Sequence, residues 1–394
     1  MFDTPLFYAA LCGLLPILYL VPASRIQIRT SLVAILSLGI LWRLLGMAVS
    51  EMVVLLVTGL WTALSAMALA RKAAVGSKRN FFPAFMPVLG IWALGKHSAQ
   101  IGLDTASVFR FVGFSFLVIK SWTLLKDASD GRLKGITLGG VCAYLFYFPT
   151  FVSGPMHTYG EFDRSISKPA APGFKQIVDA VFRLLVGITK LKLVVFLIEP
   201  MSLVALVDAP SFTLGQLVKG CFLYSIVIYA SFSGYSDAAI ATSSLAGIAT
   251  PENFRSPYLS PTIREFWQRW HITFTRVLTS YLFVPIARWL PKWIGDRRTL
   301  LTLLTTIVTF VACGYWHGPT LNFILWGLYH GIGIAFYDLV LRRPVQPLKA
   351  GLVLTRAERT LVVARHAGGI LTTFTFVSVG WALFVLPIGK LFGS

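Results

Sequence analysis

The stretch LLTLLTTIVTFVACGYWHGPTLNFILWGLYHG, Leu300 to Gly331, decides how this chain is read. Leu300–Tyr315 is an apolar run, and a bilayer crossing takes about 20 mostly apolar residues. Trp316-His317-Gly318 ends the run, and His330 follows in Trp326-Gly-Leu-Tyr-His330-Gly331. A histidine at membrane depth is costly and titrates near neutral pH, so its first reading is functional. The stretch points to chemistry carried out inside a bilayer.

Composition extends that reading to the whole chain. Of 394 residues, 56% are hydrophobic and 13% charged, where soluble domains carry about 25% charged residues. Mean hydropathy is +0.73. One membrane-embedded domain over residues 1–394 is expected. The net charge of +19 is placed like topology signals, flanking apolar spans at Arg25/Arg29, Arg71/Lys72, Lys78/Arg79 and Arg342/Arg343. No basic stripe interleaves with aromatics, so no nucleic-acid partner is expected. The basic loops suit anionic membrane lipids or an acidic protein. Cys12, Cys142, Cys221 and Cys313 each lie in apolar segments and read as small core residues. The start, Met-Phe-Asp-Thr-Pro, lacks a basic n-region, so Leu6–Val21 reads as a retained span.

Further spans are expected at Ser31–Ala48, Met52–Ala70, Thr105–Leu125, Ile136–Val152, Ile177–Glu199, Phe212–Phe232, Leu321–Val340 and Gly369–Leu386. Phe81–Leu94 is short and holds Pro83 and Pro87, which suits a re-entrant segment. Its path leaves the side of Lys126–Lys134 open. From Gly234 to Pro285 the pattern breaks into mixed polar, aromatic and charged residues, tolerable in lipid only along a cavity or an interface. There Pro261 can start a helix with Ser260 as N-cap. Such a helix would put Trp267 and His271 on one face, and Glu265 and Arg269 on another.

Of the six histidines, His97 and His366 sit in basic, loop-like surroundings, and His157 follows the turn Ser153-Gly-Pro-Met after a span, where a lumen-lining place is open to it. His271, His317 and His330 are the candidates for chemistry. Three histidines would suit zinc, yet no acidic residue accompanies them in a zinc motif, and no metal is expected. Pro319 interrupts the chain between His317 and His330, so helical spacing alone does not bring them together. Cys313, four residues before His317, could share a face with it as a nucleophile, though cysteine is also a common buried residue. A buried histidine base takes the proton of a hydroxyl as that oxygen attacks an acyl carbonyl, worth about 10²–10⁴-fold. Asn322, Trp316 and Tyr315 are candidate donors to the oxyanion.

Three ordered blocks resemble the membrane-bound O-acyltransferase superfamily, in its DltB/AlgI branch and nearer DltB. They are Tyr147-Phe-Pro-Thr-Phe-Val-Ser-Gly154-Pro155; Ser233-Gly-Tyr-Ser-Asp237 with Asn253-Phe-Arg-Ser-Pro-Tyr-Leu and Arg264-Glu-Phe-Trp-Gln-Arg-Trp-His271; and Gly314-Tyr-Trp-His317-Gly318 with Leu325-Trp-Gly-Leu-Tyr-His330-Gly331. The resemblance implies an all-α polytopic bundle of about eleven transmembrane helices around a tunnel, in a bacterial inner membrane. It carries the family's catalytic histidines onto His317 and His271. It makes His330, Trp316, Asn322, Trp267 and Asp237 tunnel- or substrate-lining. It implies no bound cofactor, and as substrate an acyl thioester on a phosphopantetheine carrier protein or coenzyme A. An acyl carrier protein on the cytoplasmic face and an extracytoplasmic acyltransferase are the implied partners. D-alanyl transfer to a cell-envelope polymer is the expected reaction, with polysaccharide O-acetylation as the alternative. From another class, a transporter or flippase would use Asp237, Arg110, Lys120 and Arg183 as a polar pathway.

Overall fold

The computed structural model describes residues 5–77, 80–98, 113–168, 171–295, 297–341 and 355–392. Among them the regular structure is helical, with no strand. Six helices are long and apolar enough to cross a membrane: Ile26–Leu45, Val49–Ala74, Leu214–Leu245, Arg298–His317, Leu321–Leu341 and Thr360–Val385. The protein is an all-α polytopic membrane protein. It divides into two compact units, Met1–Lys192 with Phe232–Glu252, and Leu193–Ser231 with Asn253–Ser394.

In the first unit the helices are α1 (Pro5–Leu20), α2 (Ile26–Leu45), α3 (Val49–Ala74), α4 (Phe82–His97), α5 (Phe114–Ser129), α6 (Leu138–Phe146), α7 (Tyr159–Ser167) and α8 (Phe174–Thr189). Val53, Leu56, Val57, Leu60 and Leu64 of α3 are all exposed. Such a run would be a liability in water and is the expected lipid-facing surface of a span. The opposite face of α3 is small: a Cβ on Gly59 would lie 2.2 Å from the Phe146 ring. Behind it Tyr144, Tyr147, Phe148 and Phe162 are buried. The expected span Ile136–Val152 is not one helix. The α-helix stops at Phe146 and a 3-10 turn, Phe148–Thr150, follows, because Pro149 lacks the N–H that a continued helix needs. The expected span Thr105–Leu125 falls partly outside the described residues, and helix is described from Phe114.

The same unit places Lys126–Lys134 beside the end of α3 and the start of α2. Gly131 faces Ala73 at the end of α3, and Gly139 faces Thr30 and Ser31 near the start of α2. Arg29 donates to the carbonyls of Ile166 and Ser167 at the end of α7. The basic residues of all these segments share one end of the unit.

Helix α9 (Leu214–Leu245) contributes its residues from Phe232 to the first unit. It continues as helix through Gly234–Leu245, past the end of the expected span Phe212–Phe232. Asp237 is tolerated there because it is paired: Arg183 Nε lies 2.9 Å from its Oδ1 and Lys190 Nζ 2.7 Å from its Oδ2. Arg183 also forks onto both Glu252 oxygens at 2.6 Å. Gly187 and Gly234 make the approach of α8 to α9 possible, since a Cβ on Gly187 would stand 2.7 Å from the Gly234 carbonyl oxygen.

In the second unit the main helices are the first part of α9, then α10 (Ile263–Arg269), α11 (Ile272–Val277), α12 (Arg298–His317), α13 (Leu321–Phe336) and α14 (Arg356–Val385). Helices α12 and α13 form a tight hairpin. A Cβ on Gly314 would lie 2.0 Å from the Phe323 carbonyl oxygen, and one on Gly327 would lie 2.3 Å from that of Phe310. Small residues let two apolar helices touch through their backbones, where van der Waals contact is the main attraction available in lipid.

Candidate active site

His271, His317, His330, Trp316, Trp267 and Asn322 all fall in the second unit, and Asp237 in the first. The helix breaks around Pro319 as expected, and the hairpin, not helical spacing, brings His317 and His330 to one ring. His317 is the last residue of α12, and one turn of loop sends the chain back along α13. The Trp326 ring then stands between two histidines, 5.4 Å from His317 and 4.9 Å from His330, both edge to face.

The three histidines differ in access. His330 is 0% exposed and His271 4%, while His317 keeps part of its surface. His330 is wedged edge-on to Trp267 at 5.3 Å and to Phe376 at 5.5 Å. A Cβ on Gly380 of α14 would lie 2.9 Å from its Nε2. Among the described residues neither of its ring nitrogens, nor Nε1 of Trp267 or Trp326, meets a hydrogen-bond partner. His317 packs edge-on to Trp316 at 4.6 Å and Phe384 at 5.0 Å.

His271 reaches this cluster through rings. It contacts Phe274 at 5.1 Å, and Phe274 contacts Trp316 at 4.7 Å. It does not share a helix face with Trp267 as expected. Helix α10 ends at Arg269, Trp270 is extended, and His271 is left-handed at φ 44°. The N-cap is also Thr262 rather than Ser260: its hydroxyl accepts from Glu265 N at 3.1 Å, because the chain turns helical only after Pro261. The Glu265–Arg269 pair is present. His271 lies outside the six spans, and burial pushes its imidazole down to about 3, into the neutral form.

The remaining candidates have clear local tasks. Trp267 is buried against Trp326 and Phe310. Asn322 spends its amide donors on the carbonyls of Leu383, at 3.3 Å, and Leu386, capping the end of α14. Cys313 is buried on α12. Lys120 donates to the Tyr144 carbonyl at 3.1 Å, and Arg110 lies outside the described residues. Among the described residues no group of three His, Cys, Asp or Glu side chains is arranged to hold a metal.

Two features escaped the sequence reading. Asn253 contacts His271 Nδ1 through its Oδ1 at 3.2 Å. Nothing local signals a partner so far back in the chain. Asp338, 5% exposed, takes the Arg264 guanidinium and ties α10 to the end of α13. An acid within the apolar run after His330 was the available signal.

The chain is 28% identical over 295 residues to the teichoic acid D-alanyltransferase of Streptococcus thermophilus, covering 71% of this chain and 69% of that one. It is 27% identical over 293 residues to the probable alginate O-acetylase AlgI of Pseudomonas fluorescens, covering 72% and 53%. It is 28% identical over 244 residues to the peptidoglycan O-acetyltransferase of Helicobacter pylori, covering 61% and 42%. The aligned stretches thus span from under half to about two thirds of these relatives' length. The family model for membrane-bound O-acyltransferases matches residues 49–344, taking in both histidine helices and the Arg-Trp-His turn. The chain belongs to the membrane-bound O-acyltransferase family.

Proposed function

We propose that this protein moves a D-alanyl group from a carrier-protein thioester to a hydroxyl of a cell-envelope polymer or its intermediate, with His317 as the base. The observation that carries the reading is access. Of the three histidines gathered in the second unit, His317 keeps the most surface, while Trp316, Trp326 and Phe384 hold its ring. In the reaction His317 takes the proton of the acceptor hydroxyl as that oxygen attacks the thioester carbonyl. The C–S bond breaks, an ester C–O bond forms, and the thiolate leaves and takes up the proton. General-base catalysis of this kind contributes about 10²–10⁴-fold. Apolar walls exclude the water that would hydrolyse the donor.

The basic end of the first unit supports a cytoplasmic carrier protein as donor. Arg25, Arg71, Lys72, Arg132, Lys134 and Arg164 belong to segments that meet there, and carrier proteins with their phosphopantetheine are acidic. The bacterial relatives support an inner-membrane location, with an extracytoplasmic acyltransferase as a further partner. A second reading, O-acetyl transfer from acetyl-CoA, is favoured by the alginate and peptidoglycan relatives, which match at the same level of identity.

The test offers purified protein radiolabelled D-alanyl carrier protein or acetyl-CoA, with a polyol-phosphate acceptor or a polysaccharide. Transfer from the D-alanyl donor that vanishes in a folded His317→Ala protein is expected. Transfer from acetyl-CoA alone selects the second reading. Transfer that survives His317→Ala overturns the role of His317.

A further inference from the structure

Asn253 is 1% exposed, and its amide oxygen is a meeting point. Thr273 N lies 3.3 Å from Oδ1, Thr273 Oγ1 2.8 Å, and His271 Nδ1 3.2 Å. The backbone is clamped in the same place: Ile272 N donates to the Asn253 carbonyl at 2.9 Å, and Arg255 N to that of Arg269 at 3.0 Å. These contacts surround a residue held in the left-handed region at φ 44°, where residues other than glycine are uncommon. Such backbone persists only where its surroundings over-determine it.

The geometry also assigns a proton. A backbone N–H can only donate, so the Asn253 atom facing Thr273 N is the amide oxygen and not the amide nitrogen. An amide oxygen can only accept, so the His271 nitrogen opposite it must carry a hydrogen. A neutral imidazole has one N–H, which leaves the lone pair on Nε2.

We infer that Asn253 is a positioning residue that locks His271 in its Nδ1–H tautomer, so that Nε2 is kept as the ring's hydrogen-bond acceptor during acyl transfer. The inference rests on the acyl-transfer reading above. Asn253 itself touches no substrate; it acts through His271. In metal sites, losing the residue that orients a histidine costs about 10–100-fold, and a loss of that order is expected here.

The experiment uses the full-length chain in nanodiscs, with ¹⁵N-labelled histidine. The histidine signal that disappears in His271→Ala is expected to show a protonated Nδ1 and an unprotonated Nε2. Asn253→Leu, close in shape but with no acceptor, is expected to lose about 10–100-fold in kcat at a nearly unchanged KM. Asn253→Asp restores an acceptor facing both donors and is expected to recover most of that loss. Should Asn253→Leu fail to fold, the wild-type spectrum and Asn253→Asp still decide. A wild-type His271 protonated on Nε2, or equal losses in the Leu and Asp variants, overturns the inference. A fully active His271→Ala protein removes the role given to Nε2, whatever the tautomer. Persisting activity in His317→Ala instead strikes the base assignment and leaves the Asn253 test standing.

Discussion

At the scale of single residues, burial separates roles that the residue types alone leave equal. His317 and His330 flank one indole, yet only the first has surface to offer a substrate. His317→Ala is therefore expected to remove transfer while leaving the melting temperature close to wild type. His330→Ala opens a cavity among Trp267, Trp326 and Phe376, where deleting a large buried ring costs about 3–5 kcal/mol. It should lower the melting temperature and the activity together; a destabilised but fully active protein would show that the His330 ring does not support the site. Asn322→Ala removes a cap from the end of α14 at a cost of about 1–2 kcal/mol. A thermal-shift measurement checks it, and a large fall in kcat at unchanged stability would instead give Asn322 a part in the chemistry.

At the scale of elements, the α12–α13 hairpin sets His317 and His330 against the Trp326 ring. Its backbones meet through Gly314 and Gly327, and a methyl at either would run into a carbonyl oxygen that cannot swing away. Gly327→Ala is expected to force the hairpin apart and to reduce folded yield strongly, read by size-exclusion chromatography in detergent. Gly39 of α2 has nothing within 4 Å of its Cβ position, so Gly39→Ala should be neutral to slightly stabilising, as alanine is the better helix former. Equal behaviour of the two variants would show that close packing is not what the hairpin glycines provide. Much of this element was legible beforehand. The apolar runs, the Pro319 turn and the glycine-rich blocks were plain. The helix register that sets Trp326 between two histidines was not, because it depends on which faces of two helices meet.

At the scale of the whole molecule, charge is distributed in two ways. Within the first unit Arg183, Lys190, Asp237 and Glu252 neutralise one another, so an apparent polar pathway is an internal network. Asp237→Ala leaves two cations short of a partner. The partners are partly exposed, so the cost is set below the roughly 3–5 kcal/mol of a fully buried pair. A falling melting temperature with rising salt tolerance is not expected; a clear fall at all salt concentrations is. Further basic residues gather at one end of that unit. Binding of an acidic carrier protein there should weaken steadily between about 0.05 and 0.5 M salt, since exposed charges are screened over a few ångströms at the upper limit. Salt-independent binding would move the docking surface elsewhere.

Composition, hydropathy and the ordered blocks by themselves determined that this is a helical membrane protein of the acyltransferase family. Those features are local: an apolar run must bury its backbone bonds in a helix, and a histidine there must have a reason. Only the tertiary structure decided that Gly234–Leu245 stays helical around a paired Asp237, and that Trp267 and His271 part company at Arg269. It alone showed that Asn253 faces the His271 ring. These depend on partners far away in the chain, whose contacts outweigh the local preference of the residues they hold.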